Sequence, residues 1–259
     1  MYFWKYYGPY ALVAGGSDGL GAAFAEALAR RGFNLVLMAR EKERLEATAA
    51  RLKEKYSIDI TALSVDMADF NNVKKLLEEL DVSIGLLVYN AAFAPIGLFE
   101  KTNEEDLSLA AAVNVRTPLL LSKLLSAQMI QKKSGGIILM SSLAGAQGSP
   151  KLAAYSATKS FNTILAEGLW KELKPHGIDV LGCCAGAIIT PGYQNAEKTK
   201  TAPGTLKASV VAEKTLNALG KGPVVIPGII NKIAHFVLTR LLTRKTAIDI
   251  MAKNTGGLS

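Results

Sequence analysis

Short apolar runs alternate with amphipathic stretches along most of this 259-residue chain. The first run, residues 10–16 (YALVAGG), ends in glycines, and Leu20, Phe24 and Leu28 then recur at helical spacing. The alternation predicts seven strands, within residues 10–16, 33–39, 58–65, 84–90, 136–141, 178–184 and 223–226. Because the runs are apolar throughout and most are followed by a helical pattern, we expect a parallel sheet covered by helices on both faces.

The helical patterns complete this picture. They lie within residues 19–31, 41–55, 69–80, 104–131, 152–173 and 205–219. No stretch rich in Pro, Gly and Ser divides the chain, and no repeat exceeds the strand–helix alternation. The sequence therefore predicts the α/β class, with one doubly wound domain over residues 1–259.

Residues 229–245 depart from the alternation. Ile230, Ile233, Val237 and Leu241 share one helical stripe, with Lys and Arg around it. This pattern predicts a basic amphipathic helix. A helix docked on the domain with its charges in water is favoured, while peripheral contact with a membrane surface and a lid over the substrate are the alternatives.

Composition and charge narrow the class of protein. At 49% hydrophobic and 20% charged residues, the chain has an ordinary globular composition. The net charge is +8, and residues 191–259 carry most of it, with ten Lys and Arg against three Asp and Glu. Because these basic residues are scattered without interleaved aromatic residues, they do not predict nucleic-acid binding.

The cysteines and the lengths of the apolar runs bear on metal binding and on the cellular compartment. The two cysteines, Cys183 and Cys184, are adjacent in an apolar run, which suits neither a disulfide framework nor a metal cluster. No signal-peptide pattern and no apolar run of about 20 residues occurs, so we expect a cytoplasmic protein.

A glycine-rich turn follows the first predicted strand. Gly15, Gly19 and Gly21 let the chain turn tightly, and a pyrophosphate can approach the backbone at the start of the next helix. This position predicts a dinucleotide-binding (Rossmann) fold. Arg40 follows the second strand, where an acidic residue would accept from a ribose but a guanidinium suits a 2′-phosphate. NADP(H) is therefore favoured over NAD(H), unless Arg40 pairs with an acid of the next helix, such as Glu41.

Three further residues suggest proton-transfer chemistry. Tyr155 and Lys159 are four positions apart and should project from one helix face. A nearby ammonium stabilises a phenolate and lowers the pKa of the tyrosine. Ser142 precedes this pair at the end of a predicted strand. The spacing alone is a weak signal, since a half-buried tyrosine followed by a solvated lysine gives the same pattern.

A series of motifs in a fixed order resembles the classical short-chain dehydrogenase/reductase family, and the matches extend over most of the chain. They are residues 14–21 (AGGSDGLG), Asp66, residues 90–92 (NAA), Asn114, Ser142, residues 155–159 (YSATK) and residues 188–190 (IIT). Residues 7–45 look most like the branch of 3-oxoacyl thioester reductases and hydroxysteroid dehydrogenases. Two departures are Ala14, where a threonine is common, and Ala185-Gly186, where Pro-Gly is common.

The resemblance implies roles for the matching residues. Ser142 would hydrogen-bond the substrate carbonyl, Tyr155 would transfer the proton, and Lys159 would hold the nicotinamide ribose. Asn114 would support a water relay from that lysine. The cofactor-binding candidates are Gly15, Ser17, Asp18, Gly19, Leu20, Gly21, Arg40, Asp66, Met67, Asn90, Ala91, Ala92, Tyr155, Lys159, Ile188 and Thr190. Within this set, Asp66 and Met67 would border the adenine.

The implied activity is an NADP(H)-dependent ketoreductase that interconverts a ketone and a secondary alcohol on a bulky apolar small molecule. Residues 192–204 would form the substrate loop. A homodimer or homotetramer is expected, since helices around Asn114 and Tyr155 usually pair in the family. Two alternatives stay open: a non-catalytic NADP-binding regulator, which needs no proton donor, and a nucleotide-sugar epimerase, which generally has a longer chain and another glycine spacing.

Overall fold

The computed structural model of the protein describes residues 3–189 and 202–257. Nine strands are found in this part of the chain: β1 Tyr10–Ala14, β2 Asn34–Ala39, β3 Ile60–Ser64, β4 Ile84–Tyr89, β5 Gly135–Ser142, β6 Ile178–Ala185, β7 Ile188–Ile189, β8 Leu206–Lys207 and β9 Val224–Val225. Seven of them form a parallel sheet in the order β3-β2-β1-β4-β5-β6-β9. The predicted α/β fold with a seven-stranded parallel sheet is confirmed.

Helices cover both faces of the sheet. They are α1 Phe3–Tyr7, α2 Gly19–Ala29, α3 Lys42–Tyr56, α4 Phe70–Glu78, α5 Glu104–Ala111, α6 Thr117–Lys132, α7 Ala153–Leu173, α8 Ala208–Ala218, α9 Ile229–Phe236 and α10 Arg244–Thr255. No helix within residues 3–189 and 202–257 is both long and apolar enough to cross a lipid bilayer.

Several elements differ from the sequence-based expectation. The helix expected within residues 104–131 is two helices, α5 and α6, joined by the π-helical turn Ala112–Arg116. The amphipathic segment 229–245 is helical only to Phe236, continues as a π-helical turn over Val237–Leu241, and is followed by α10. The short pair β7–β8 was not predicted.

The core explains why the strand sequences are uniformly apolar. Successive residues of β1 point to opposite faces: Ala11 and Val13 pack with Phe24 of α2, whereas Leu12 and Ala14 pack in the layer that contains Leu121 of α6. Both layers are buried, so neither face of the strand can be polar. The carboxyl ends of β1, β2, β4 and β5 lie at one edge, and the loops after them carry the candidate site.

Candidate active site

The end of β5 and the first turn of α7 bring together the three residues of the proton-transfer hypothesis. Ser142 is the last residue of β5; its hydroxyl oxygen accepts from the Ala144 amide at 3.1 Å, and its side chain hydrogen-bonds the Tyr155 phenol. The Lys159 Nζ lies 5.5 Å from the centre of the Tyr155 ring. Strand and helix thus hold a hydroxyl, a phenol and an ammonium in one place.

The electrostatics of this group differ from the sequence-based expectation. Burial raises the pKa of the Tyr155 phenol above its usual value, and the hydrogen bond from Ser142 opposes the rise only in part. Lys159 donates to the carbonyl oxygen of Met140 at 3.0 Å, and burial lowers its own pKa to about 8. The expected lowering of the tyrosine pKa by Lys159 is therefore wrong here: burial, which the sequence does not reveal, is the larger effect on both groups.

Asn114 is a fully buried link between helices. It lies in the π-helical turn before α6; its Oδ1 accepts from the Phe93 amide at 2.8 Å, and its Nδ2 donates to the Phe93 carbonyl at 2.7 Å and to Thr158 Oγ1 at 3.1 Å. Asn162 Nδ2 donates to the Asn114 carbonyl oxygen at 3.1 Å. These contacts fix α7 against the loop after β4. Asn162, which the sequence analysis did not single out, is the partner of the residue expected to support the relay.

The glycine turn has the close packing that a dinucleotide requires. Gly15 has φ +79°, and a Cβ at Gly21 would collide with the Gly15 carbonyl oxygen. Asn90 Nδ2 donates to that same oxygen at 3.1 Å, which ties the loop after β4 to the turn after β1. Asp18 caps α2 by accepting from the Gly19 amide at 2.6 Å. Because Gly15 and Gly21 have no side chains, a ligand can approach the backbone of this turn closely.

Eight of the predicted cofactor residues line one cleft of about 290 Å³ at the carboxyl edge of the sheet. They are Gly15, Ser17, Arg40, Asp66, Met67, Asn90, Ala91 and Ala92. Ile188, in β7, is not among the residues that line this cleft, and Thr190 and residues 192–201 of the expected substrate loop lie outside the described residues. The cleft fits a dinucleotide, because a glycine turn, a helix N-terminus and a cation surround it.

Arg40 stands exposed at the rim of this cleft. Glu41, its candidate partner, instead pairs with Arg44 at 3.1 Å. The Arg40 guanidinium makes no ion pair within residues 3–189 and 202–257, and its backbone is fixed by Ser64 Oγ, which donates to the Arg40 carbonyl at 3.0 Å. An exposed guanidinium at the rim, with no acidic partner among these residues, fits a 2′-phosphate.

The C-terminal segment forms one wall of a second cavity. Ser142 and Ile164 line this space of about 180 Å³ on one side, and His235 and Thr239 line it on the other. His235 Nδ1 is buried without a hydrogen-bond partner among the described residues, and burial lowers the pKa of its ring. His235 is 93 residues after Ser142 in the sequence and belongs to no motif, so the sequence did not predict that it lines this cavity.

Two hydrogen bonds hold the C-terminal segment in place. Arg244 Nη1 donates to the Ala146 carbonyl at 2.8 Å, and Lys151 Nζ donates to the Gly256 carbonyl at 2.8 Å. Both contacts reach the loop between β5 and α7. Ser142 lies at the start of this loop, and Tyr155 lies just after its end. The C-terminal segment therefore covers the loop between β5 and α7.

Asn231 of α9 packs closely against the chain that follows β6. Its Nδ2 donates to the carbonyl oxygens of Gly204 at 3.0 Å and Pro227 at 2.9 Å. A Cβ at Gly186 would lie only 2.7 Å from this amide, so the residue after Ala185 has to be small. Gly186, which matches the glycine of the common Pro-Gly pair, thus accommodates a side chain from the C-terminal segment, whereas this contact does not explain Ala185.

Comparisons with known proteins identify the family of this chain. The family model for short chain dehydrogenases matches residues 9–201. The chain is 36% identical over 224 residues to a very-long-chain 3-oxoacyl-CoA reductase from Phaeosphaeria nodorum; the match covers 83% of this chain and 64% of the relative's length.

Solved structures of short-chain dehydrogenases have a similar fold. A structure from a study of 7beta-hydroxysteroid dehydrogenase stereoselectivity superposes with a TM-score of 0.89 at 26% identity, over 97% of this chain and 99% of the other. A short-chain dehydrogenase from Sphingobium yanoikuyae in complex with NADPH superposes with a TM-score of 0.79 at 32% identity, over 85% of this chain and 88% of the other. The chain belongs to the short-chain dehydrogenase family.

Proposed function

We propose that this protein is an NADP(H)-dependent oxidoreductase that interconverts a ketone and a secondary alcohol on a bulky apolar substrate. The observation that carries the proposal is the half-buried Tyr155, whose phenol is hydrogen-bonded to Ser142 and whose ring centre lies 5.5 Å from the Lys159 ammonium. A non-catalytic regulator has no use for a proton donor placed in this way.

In the proposed reaction, Tyr155 and Ser142 act on the oxygen of the substrate carbonyl. NADPH, when bound, supplies the hydride that reduces the carbonyl carbon. Tyr155 gives its phenolic proton to the carbonyl oxygen as negative charge develops there, and Ser142 hydrogen-bonds that oxygen and stabilises the charge. Because burial raises the tyrosine pKa, the phenol is held in its protonated form, which is the form that reduction consumes. The same site serves both directions, and reduction is the proposed one because NADP(H) is the favoured cofactor.

The proposed cofactor contacts follow the cleft. Gly15 and Gly21 would leave space for the pyrophosphate at the start of α2, and Asp66 and Met67, which line the cleft, would border the adenine. Lys159 would turn from the Met140 carbonyl to the nicotinamide ribose, which supplies hydroxyl acceptors in its place.

Arg40→Ala should lower kcat/KM for NADPH by roughly 10- to 100-fold and leave that for NADH nearly unchanged, since a charge-assisted hydrogen bond contributes about 1.5–3 kcal/mol. Steady-state rates with each cofactor measure the change. Lys42→Ala, two positions further on and exposed, is the matched control and should change neither value. Equal losses with NADPH and NADH in Arg40→Ala would contradict a 2′-phosphate contact.

The substrate proposal draws on the cavity and on the relatives. Ile164, Cys184 and Ala146 give the cavity beside Ser142 an apolar part, and the proteins that this chain resembles are named for 3-oxoacyl-CoA and hydroxysteroid chemistry. The chain spans 64% of the length of the first of these relatives, so the activity of the whole relative is itself only a proposal for this chain.

An NADPH-oxidation screen tests this proposal. Ketosteroids or long-chain 3-oxoacyl thioesters should give kcat/KM at least tenfold above that of small aliphatic ketones. At ~25 cal/mol per Å², about 60 Å² of additional apolar contact in the transition state suffices for that ratio. Preference for the small ketones, or no oxidation with any carbonyl, would overturn the proposal.

A homodimer or homotetramer is also proposed. Leu119 and Leu120 are exposed on α6, the helix that follows Asn114, and Ile164 is exposed on α7. These apolar side chains on neighbouring helices suit burial against a second copy. Light scattering measures the assembly.

A further inference from the structure

Helix α9 presents large apolar side chains to solvent. Ile229 is 70% exposed, Ile233 57% and Phe236 56%, and Leu241 in the following turn is 64% exposed. The other side of the same helix faces inward, where Asn231 is buried and His235 lines the cavity beside Ser142. The outward face is thus a contiguous apolar surface of the kind that marks an interaction site.

The surroundings of this face are uniformly basic. Residues 214–248 contain six Lys and Arg and no Asp or Glu. Lys214, Lys221 and Lys232 line a groove of about 390 Å³ that also contains Ile229, and none of the three forms an ion pair within the described ranges. The apolar face is therefore bordered by cations that have no acidic partner in this part of the chain.

The charge pattern favours an anionic bilayer over a second copy of this chain as the partner of this face. A second copy docking through the same surface in a two-fold dimer would bring the acid-free segment 214–248 close to itself, with lysine facing lysine. An anionic bilayer has the complementary character, because its headgroups attract the lysines while its acyl boundary accepts Ile and Phe. The exposed leucines of α6 offer a second copy a separate face.

We propose that α9 and the turn Val237–Leu241 dock this protein on anionic membrane surfaces. Ile229, Ile233 and Phe236 enter the acyl boundary, and Lys221 and Lys232 contact the lipid phosphates. Because His235 on the inner side of α9 lines the cavity of Ser142, docking brings that cavity close to the bilayer, where apolar substrates concentrate. The docking is independent of the proposed reaction, and binding measurements test it without turnover.

Sedimentation with vesicles tests the proposal. The full chain should bind vesicles of phosphatidylcholine with about one third phosphatidylserine, bind pure phosphatidylcholine at least tenfold more weakly, and release as salt rises. Phe236→Glu combined with Ile233→Glu should reduce binding to the anionic vesicles at least tenfold. The matched control is Phe99→Glu, since Phe99 is 63% exposed but is followed by acidic residues; it should bind like the unaltered chain.

Two measurements make the outcome decisive. Circular dichroism melting should show that the α9 variants stay folded, as expected for substitutions at exposed positions. Light scattering without vesicles gives the assembly of each variant. No vesicle binding by the unaltered chain would overturn the proposal, as would an assembly that dissociates in the double variant Ile233→Glu, Phe236→Glu, because the face would then belong to a second copy. Equal binding by the Phe99 and Phe236 variants would overturn it as well.

Discussion

Tyr155→Phe should lower the rate of ketone reduction by roughly 10²- to 10⁴-fold and leave NADPH binding unchanged. The substitution removes the phenolic oxygen that donates the proton and that Ser142 hydrogen-bonds, while the ring stays between the same neighbours. Turnover is followed by NADPH oxidation, and binding by the fluorescence of NADPH. Retained binding with lost turnover separates a catalyst from a protein that only binds the cofactor.

A control and a contradicting result complete this test. Tyr56→Phe also removes a phenol, but that phenol donates to Glu26 far from β5, so the rate should not change. Equal turnover in Tyr155→Phe and the unaltered protein would reject Tyr155 as the proton donor. An epimerase would interconvert its substrate without net consumption of NADPH, so stoichiometric oxidation in the unaltered protein also distinguishes that class.

The sheet was predictable because its strands are buried on both faces. β1 and β5 lie between two helix layers, so their sequences are continuous apolar runs that end at glycines or at Ser142. The same reasoning placed the glycine turn at the end of β1 and Arg40 at the end of β2. Residues that follow parallel strands share one edge, so their proximity in the cleft follows from topology alone.

The C-terminal segment was only partly predictable. Its apolar stripe indicated an amphipathic helix, and such a stripe normally packs inward. In the structure, Ile233 of the stripe faces solvent, and it is Asn231 that is buried against Gly186 and Gly204. A polar residue turned inward by backbone carbonyl partners has no signature in the hydrophobic pattern. The place of His235 beside Ser142 was missed for this reason.

Lys159→Met should stabilise the protein at pH 7 while abolishing most of its turnover. The pKa of Lys159 is about 8 in the folded protein, against about 10.4 in an unfolded chain, because burial disfavours the ammonium. Below pH 8 the folded state bears the full cost of this buried charge. Methionine removes the charge but leaves the Met140 carbonyl without its donor, so a net gain on the order of 1–2 kcal/mol is expected, or a few degrees in Tm.

The pH dependence identifies the cause. Between pH 8 and about 10.4 the unfolded chain holds a proton on this lysine that the folded protein has lost, so the stability of the unaltered protein rises with pH across that range. The difference in Tm from Lys159→Met should therefore be largest at pH 7 and smaller at pH 10. Lys171→Met, exposed on the same helix, should show no such trend. A lower Tm for Lys159→Met at both pH values would mean that the lysine serves the fold, whereas a more stable and inactive variant means that its buried charge is kept for the reaction.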